Sequence, residues 1–387
     1  MILNIDKSNW VLTKLGEIAF DINDRIDNPS TSGYNRFVGL EHFVSGDLKI
    51  KNWGTTENLV SAMKKFKAGD VLFARRNAHL RRASMVDFDG VCSGDAFVLR
   101  ENHNNIVRGF LAFILNTDTL WDYAIANAAG TMSKRVKWRD LANYEFLFPP
   151  KAQQAKIAEL LWAADENEER LLKLKEIFLI LSYSLLRDEL KKLNGKTRPL
   201  SAVLIEKKLR SQPPHNYDKY LGLENIEPAT LYSSDYQDSS NVQAQCAVIK
   251  TGDLCYSKLR PYLDKAFIAT FDCVASTEVL VFDTVNGISK EYILYTLHSR
   301  EFINYVSDQG FGTKMPRVNQ KIIGDYRIKI LSNSDQKKLL EKLQEIEKQK
   351  NIVIEFLSNS RLLKSQLINN SPYAIIFISD FLIFRIS

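Results

Sequence analysis

The chain has 387 residues, and at about 150 residues per domain this length predicts two or three domains. Hydrophobic residues make up 45% of the chain and charged residues 25%, which is ordinary for a globular protein; no signal peptide or membrane-length apolar run is found, so secreted, membrane, fibrous and disordered classes are excluded. The net charge of +6 permits nucleic acid as a partner, and four cysteines without a CxxC pair favour a reducing compartment, here the cytoplasm.

The chain contains an internal repeat. Segments of its first half match segments of its second half at a constant shift in residue number, which falls by one in the last matching pair because one residue is lost. Such a shift, kept over most of a domain, indicates a duplicated unit. The matching pairs are Tyr34–Glu41 with Tyr217–Glu224, Phe66–Arg76 with Ile249–Leu259, and Gly130–Val136 with Gly312–Val318.

Each copy is predicted to be a mixed α+β domain. The sequences GDVLFARR at 69–76 and GDLCYSKLR at 252–260 predict a tight turn followed by a strand. Segments 108–125 and 290–306 have helical periodicity. We therefore expect globular domains at 1–150 and 196–333.

A long helix follows each domain, at 151–195 and at 334–371. Apolar residues alternate at spacings of three and four, and a single helix of about 40 residues with such a stripe needs a partner. We expect the two helices to pair as an antiparallel coiled coil in a pseudo-twofold chain. Asn167 and Gln349, at equivalent seam positions, are either register devices or tolerated polar residues. The seam residues include Ile157, Leu160, Leu171, Leu174, Phe178, Leu339, Ile346, Val353 and Phe356.

No catalytic constellation is evident. The five histidines have no metal-ligand spacing and no neighbouring nucleophile. Basic residues, by contrast, cluster at equivalent places in both copies, and arginine and lysine on loops are suited to phosphate and base contacts. The residues predicted to bind DNA are Arg75, Arg76, Arg81, Arg82, Lys134, Arg135 and Lys137 in the first copy, and Lys258, Arg260, Lys265, Lys314 and Arg317 in the second.

Three classes of function follow from these features. The first is a non-catalytic protein that reads DNA with two domains, whose half-sites differ because the copies differ. The second is an internally duplicated methyltransferase or nuclease, which would need a cofactor loop that is not found. The third is a scaffold that binds only protein.

The order of the motifs resembles the specificity subunit (HsdS) of type I restriction–modification systems over about residues 8–368. The resemblance depends on WVLTKLGEI at 10–18, the two Gly-Asp segments, the two GT…RV segments, and FPPKAQQAKIAELL at 148–161. It implies two target-recognition domains joined by two helices that set the gap between the halves of a bipartite asymmetric DNA site. It also places Gln154 and Gln336, with their helices, in the spacer and assembly region.

The resemblance further implies that this chain is not an enzyme. Two modification subunits would bind S-adenosylmethionine and methylate the DNA, and restriction subunits would join them with ATP and Mg. No cofactor and no metal is expected on this chain itself.

Two features depart from the family pattern. The second copy lacks the Pro-Pro pair before its helix, although Ser334 is able to cap that helix. A strongly apolar tail at 372–387 follows the second helix. This tail is too short to span a bilayer, so it either packs on the first domain or is out-of-frame sequence.

Overall fold

The computed structural model describes residues 7–130, 133–312 and 315–369. The chain forms two compact units. Unit 1 takes the chain up to Leu172 together with the chain from Glu355 onward, and unit 2 is Lys173–Ile354. Each unit therefore contains one copy of the repeat and part of both long helices. The fold is α+β, as the sequence predicts.

Unit 1 is built around two four-stranded sheets in the orders β2-β9-β6-β7 and β3-β5-β8-β4, with a separate ribbon β1-β10. All strand pairs are antiparallel except β4 with β8. The strands are β1 (Val11–Lys14), β2 (Ala19–Asp21), β3 (Arg25–Ile26), β4 (Phe37–Val38), β5 (Met63–Phe66), β6 (Val71–Ala74), β7 (Ala83–Met85), β8 (Gly90–Cys92), β9 (Ala96–Glu101) and β10 (Glu145–Phe148). The helices of the domain are α1 (Leu15–Ile18), α2 (Leu111–Ile114), α3 (Asp118–Ala126) and α4 (Trp138–Leu141), and the long helix α5 is Lys151–Lys192.

Unit 2 repeats this plan with sheets in the orders β12-β20-β17-β18 and β13-β16-β19-β14-β15, and a ribbon β11-β21. The strands are β11 (Lys196–Pro199), β12 (Leu204–Glu206), β13 (Arg210–Ser211), β14 (Lys219–Leu221), β15 (Gln237–Asp238), β16 (Cys246–Ile249), β17 (Leu254–Ser257), β18 (Ala266–Ile268), β19 (Cys273–Ala275), β20 (Val279–Thr284) and β21 (Arg327–Ile330). The helices are α6 (Lys290–Leu297), α7 (Arg300–Asp308) and α8 (Gln320–Asp325), and the long helix α9 is Asn333–Asn369.

The Gly-Asp turns form as predicted and lead into the central strands β6 and β17. The Asp70 carboxylate accepts a hydrogen bond from the Lys67 amide at 2.8 Å, and the Asp253 carboxylate accepts one from the Lys250 amide at 2.9 Å. Gly69, with φ of +95°, adopts the left-handed backbone that such a turn requires. The turn fixes the first residue of each strand, and therefore also the position of the basic residues that follow the strand, Arg75 in unit 1 and Lys258 in unit 2.

The segments with helical periodicity each fold as two helices with a break between them. In unit 1 the Thr117 side chain accepts a hydrogen bond from the Leu120 amide and caps α3. In unit 2 Ser299 caps α7 through the Phe302 amide. A hydroxyl residue at this position starts a new helix, because it satisfies an amide that the preceding turn leaves unpaired.

The two long helices pack antiparallel. In unit 1 the early part of α5 meets the late part of α9, where Lys364 Nζ lies 3.0 Å from Asp165 Oδ1. In unit 2 the late part of α5 meets the early part of α9, where Lys342 Nζ lies 2.7 Å from Glu189 Oε2.

At several turns of both helices the buried residue is one later than the heptad pattern indicates. Leu161, Asp165 and Glu168 are buried on α5, and Leu357, Ser360 and Lys364 on α9. Asn167 and Gln349 are thus each followed by a buried charged residue, Glu168 or Lys350. Of the predicted seam residues, Ile157, Leu339 and Val353 are buried, Leu160, Leu171, Phe178 and Ile346 are partly buried, and Leu174 and Phe356 are exposed.

Within the described ranges, no helix is long and apolar enough to cross a membrane. All four cysteines are buried and unpaired. The apolar tail at 372–387 lies outside the described residues.

Candidate nucleic-acid interface

In unit 1 the structure brings two of the predicted basic clusters together. The exit of β6 at Arg75 lies against the loop 129–136, whose residues 131–132 are outside the described part of the chain. The Val136 amide donates to the Arg75 carbonyl at 2.8 Å, and the Asn77 amide donates to the Lys134 carbonyl at 3.3 Å. We call loop 129–136 the Gly-Thr loop of unit 1.

Unit 2 builds the same arrangement from the equivalent residues. Its Gly-Thr loop is 311–318, with 313–314 outside the described residues, so that predicted Lys314 is not placed. The Val318 amide donates to the Lys258 carbonyl at 3.0 Å, and the Arg260 amide donates to the Pro316 carbonyl at 2.7 Å. Because the contacts recur in the second copy, the loop position belongs to the fold of the repeat.

A paired set of backbone hydrogen bonds closes each Gly-Thr loop. The amide of Arg135 donates to the carbonyl of Ala129 at 2.9 Å, and the reverse bond is 3.1 Å long. Phe311 and Arg317 exchange the same two bonds in unit 2, at 2.9 and 3.0 Å. These paired bonds fix the two ends of each loop against each other.

In each unit an acidic residue holds the Gly-Thr loop through an ion pair. This residue comes directly before strand β9 in unit 1 and directly before strand β20 in unit 2. In unit 1 Asp95 accepts from Arg135 Nε at 2.9 Å and lies 3.5 Å from Arg76 Nη1. In unit 2 the equivalent residue of the repeat is Glu278, which lies 3.3 Å from Arg317 Nη2. Sequence reasoning missed both carboxylates, although the register of the repeat would have identified them as an equivalent acidic pair.

The ion pair between Asp95 and Arg135 keeps both side chains charged. Partial burial alone would raise the pKa of Asp95, but the guanidiniums of Arg135 and Arg76 outweigh it and hold that pKa below its usual value. The same contact raises the pKa of Arg135. Arg76 and Arg135 remain about half exposed, with side-chain accessibilities of 42% and 44%, so each pairs with Asp95 on one side and faces solvent on the other.

Lys134 and Lys137 are the accessible lysines at and beside the Gly-Thr loop of unit 1. Both are exposed, and neither forms an ion pair with any described residue. Arg75 is half-buried, with its guanidinium 5.1 Å from the ring centre of Phe97. Phosphate contacts favour cations that are accessible and not already neutralised, and the two lysines meet that condition best.

Two of the predicted DNA-binding residues point into the domain, one in each copy. Arg82 Nη1 donates to the Leu40 carbonyl at 2.9 Å, and Lys265 Nζ, at the equivalent position, donates to the Leu223 carbonyl at 2.6 Å. Burial lowers the pKa of Arg82. This cation therefore ties the central sheet to the short helical turn after β4 or β14.

The equivalent pair Arg81 and Asp264 carries opposite charges. Arg81 forms ion pairs with Asp118 and Asp122 of α3, whereas Asp264 lies 2.7 Å from the Nδ1 atom of His298. Both residues have a positive φ, +47° and +52°. The two copies thus share the left-handed backbone conformation at this position, but one carries a cation and the other an anion.

A buried glutamine attaches each long helix to its domain. In unit 1 Gln154 Oε1 accepts from the Val107 amide at 2.8 Å, and its Nε2 donates to the Pro149 carbonyl at 2.8 Å. In unit 2 Gln336 binds the equivalent amide of Ser289 at 2.9 Å. Its Nε2 donates to the carbonyls of Gly287 and Leu331 at 2.8 and 3.1 Å, respectively.

Within the described parts of the chain, no group of three or more His, Cys, Asp and Glu side chains is placed to hold a metal ion. The candidate site in each unit is thus a loop with basic residues that is hydrogen-bonded to the exit of a central strand.

Comparison with known proteins places this arrangement in a family. The family model described as the type I restriction modification DNA specificity domain matches the chain twice, at residues 7–177 and 203–359. The specificity subunit of the type I restriction enzyme EcoDI from Escherichia coli is 26% identical over 164 residues. That match covers 40% of this chain and 36% of the relative, so it spans about a third of the relative's length.

Two solved structures share the fold. One is a chain from a structure that concerns the complex assembly and conformational transition of the type I R-M system. It aligns with a TM-score of 0.54 at 19% identity, over 93% of this chain and 97% of that one. The S subunit of the type I restriction–modification system from M. genitalium aligns with a TM-score of 0.52 at 16% identity, over 95% and 97%. Because the family model covers both copies of the repeat, this chain belongs to the type I restriction–modification DNA specificity family.

Proposed function

We propose that this chain is the DNA-specificity subunit of a type I restriction–modification complex. Each domain reads one half of a bipartite asymmetric site in double-stranded DNA, and the helix pair sets the gap between the halves. The observation that carries the proposal is the double family match, which falls on two copies that each hold a basic Gly-Thr loop against a central strand. The complex works in the cytoplasm, where its DNA substrate lies.

The Gly-Thr loops and the basic residues beside them supply the phosphate contacts in this proposal. In unit 1 Lys134 and Lys137 are the first candidates because they are exposed, and Arg76 and Arg135 follow because each keeps one face in solvent. The further candidates from the predicted set are Arg75 and Arg81 in unit 1 and Lys258, Arg260, Lys314 and Arg317 in unit 2. Arg82 and Lys265 are not among them, because each donates to a backbone carbonyl of its own domain.

The two loops differ in chemistry, which supports different half-sites. Unit 1 presents Lys134 on its loop and Lys137 just after it, whereas the loop of unit 2 presents Phe311 and Met315, which are 54% and 48% exposed. An apolar side chain at a DNA surface contacts thymine methyl groups or base faces, whereas lysine contacts phosphate or guanine. The two domains therefore read different sequences.

The partners proposed are two modification subunits and, with them, restriction subunits. An exposed apolar stripe on the unit 2 part of α5 supports docking on the helices: Ile177 is 57%, Ile180 53% and Leu181 47% exposed, and Leu174 continues the stripe. A contiguous apolar helix face of this kind marks a protein interface. The specificity subunit contributes no catalytic group, and S-adenosylmethionine, ATP and Mg belong to the partners.

Mapping methylated sites tests the proposal most directly. The chain is expressed with its modification partner in a methylation-free host, and modified bases are located by sequencing. We expect two different short sequences separated by a fixed unread gap. A continuous or palindromic motif would overturn the two-reader model, and binding of S-adenosylmethionine by the isolated chain would favour the enzyme alternative.

A further inference from the structure

Three large apolar side chains are exposed in and beside the Gly-Thr loop of unit 2. Phe311 and Met315 lie on the loop and are 54% and 48% exposed, and Tyr262 is 52% exposed in the short turn after β17. We call these residues the apolar trio. Exposed apolar residues that lie on neighbouring segments, rather than singly, mark a binding surface.

Hydrogen bonds and packing hold the two segments of the apolar trio together. The Arg260 amide donates to the Pro316 carbonyl at 2.7 Å, and Pro316 directly follows Met315. The turn Pro261–Leu263 packs against α7, and the chain that leaves the end of α7 reaches Phe311 three residues later. The positions of the three residues are thus fixed by the fold of unit 2.

The fold of the loop does not require the apolar trio. The register of the repeat places His79, Ala129 and Ser133 at the equivalent positions of unit 1. Unit 1 nevertheless closes its loop with the same pair of backbone hydrogen bonds. The methionine of that loop, Met132, corresponds to Lys314, and both lie outside the described residues. Because the loop also forms with alanine and serine, the apolar side chains of unit 2 are available for a ligand.

Cations border the apolar trio and favour DNA as its ligand. Lys258 and Arg260 are half-buried, and neither forms an ion pair with any described residue. Arg317 pairs with Glu278 but keeps 51% of its side chain exposed. The phosphates of DNA would supply anions to these cations, whereas an apolar protein surface would leave them without partners.

The major groove of DNA offers apolar side chains one apolar group. Base faces are stacked inside the duplex, and among the base edges only thymine presents a methyl group in this groove, at C5. We infer that the apolar trio binds thymine methyl groups and makes unit 2 select T·A pairs in its half-site. The inference rests on the proposed function and adds to it the chemical group that the second domain reads.

Replacing thymine with deoxyuridine tests the inference without altering the protein. The two bases pair identically with adenine and differ only in the methyl group. The full chain with its modification partner is titrated with a labelled duplex that carries the site found by methylation mapping, and with duplexes that contain deoxyuridine in one half or the other. In the half read by unit 2, we expect the dissociation constant to rise about fourfold, or about 0.8 kcal/mol, for each contacted methyl group.

A double variant shows which side chains detect the methyl group. Phe311→Ala with Met315→Ser gives the unit 2 loop the residues of unit 1. It should weaken binding to the thymine duplex and remove the deoxyuridine penalty in one half only. The slope of log affinity against log salt should stay unchanged, because no phosphate contact is lost.

Ile205→Ala is the matched control for the double variant. Ile205 is 50% exposed in the same unit and lies opposite Asp283, at the end of the sheet where β17 begins rather than where it leads to the Gly-Thr loop. This variant should keep the full deoxyuridine penalty.

The outcomes separate this inference from the proposed function. A deoxyuridine penalty that the double variant keeps in both halves, or no penalty in either half with the unaltered chain, would overturn the inference alone. A double variant that loses the modification subunit and keeps its DNA affinity would show that the apolar trio is a protein interface, which also overturns the inference. If the unaltered complex does not bind the mapped duplex, the proposed function fails and the inference fails with it.

Discussion

Units 1 and 2 attach their helices to their domains in the same way but join the two helices to each other differently. In unit 1 the helices meet through buried charges: Lys364 lies between Asp165 and Glu168, and Arg361 Nε lies 2.7 Å from Glu168 Oε1. The two carboxylates are 2% and 8% exposed. Such a group is costly to bury and tolerates little displacement, because each charge must keep its partner.

In unit 2 the helices meet through leucines. Leu186 of α5 and Leu339 and Leu343 of α9 share the domain core, and the ion pair Glu189–Lys342 lies at the edge, with Lys342 54% exposed. Buried Lys350, equivalent to Glu168, pairs within its own helix with Glu347 at 2.8 Å. The two copies therefore share the way in which each long helix is attached to its domain, through Gln154 or Gln336. They differ in the contact between the two helices, which is made by charged residues in unit 1 and by leucines in unit 2.

Replacing Lys364 with methionine breaks the unit 1 seam and should give the largest effect. The substitution leaves Asp165 and Glu168 buried near each other without their shared cation, which costs about 3–5 kcal/mol of unfolding free energy. Lys342→Met in unit 2 removes an exposed pair and should cost at most about 1 kcal/mol. Urea unfolding of the full chain measures both.

A second variant separates charge from packing at the same seam. If Lys364→Met is combined with Asp165→Leu and Glu168→Leu, no buried charge is left unpaired, and most of the lost stability should return. If the triple variant is as unstable as Lys364→Met, or if Lys342→Met is as damaging, the seam contrast between the units is wrong.

The shared framework predicts equal damage in both units. Gln154→Leu leaves the Val107 amide and the Pro149 carbonyl unpaired, and Gln336→Leu does the same to its equivalents. Each should cost about 2–3 kcal/mol, since an orphaned buried polar group costs about 1–3 kcal/mol. Gln349→Leu, at an exposed position on α9, should change stability by less than about 0.5 kcal/mol. Clearly unequal losses at 154 and 336 would contradict a common attachment.

Unit 1 contains both an exposed cation, Lys134, and a cation that is bound inside the domain, Arg82, and the two should differ in their effect on DNA binding. Lys134→Ala should weaken DNA binding and reduce the slope of log affinity against log salt by about 1, as expected for one lost phosphate contact. Arg82→Met should leave that slope unchanged, because its guanidinium is bound to the Leu40 carbonyl. Fluorescence anisotropy of labelled duplex DNA at several salt concentrations measures the slope. An unchanged slope for Lys134→Ala would remove this residue from the interface.

The fold could be predicted from the sequence largely because the chain repeats. Two copies of the Gly-Asp turn in one constant register indicated equivalent strands, and β6 and β17 follow those turns. The phase of the helix seam could not be predicted in this way. Two adjacent stripes, one with Phe356 and one with Leu357, both satisfy a heptad, and only the second is buried. Periodicity favours the more apolar stripe, whereas the folded chain buries the one that carries Lys364.

The basic loops were predictable as clusters, because like charges adjacent in sequence are visible in the chain. Their anchors were not, because Asp95 meets Arg135 only after the strands have formed, 40 residues apart in the chain. The same holds for Arg82, whose partner is a backbone carbonyl with no sequence signal. Local patterns thus reveal which residues are charged, and tertiary packing decides which of those charges remain accessible to solvent.

Acid provides the finest test of the buried charges in unit 1. Burial by itself would raise the pKa of Glu168, but Lys364 and Arg361 outweigh it and hold that pKa below its ordinary value of about 4.3. A carboxylate with a lowered folded pKa adds stability that is complete above the ordinary value and is lost as pH falls through the folded pKa. The stability that Glu168 supplies should therefore be lost progressively in acid, at pH values below the ordinary pKa of glutamate.

Glu168→Gln should reproduce the protonated state at every pH. The difference in urea midpoint between the unaltered chain and this variant should be largest near pH 6 and should shrink progressively as pH falls below the ordinary pKa of glutamate, since a protonated glutamate and a glutamine are both neutral. Glu166→Gln is the matched control, because Glu166 is exposed on the same helix and forms its ion pair with Arg170, which is also exposed. It should give a small difference both near pH 6 and in acid. A Glu168→Gln difference that persists unchanged in acid would mean that shape, not charge, joins the helices of unit 1.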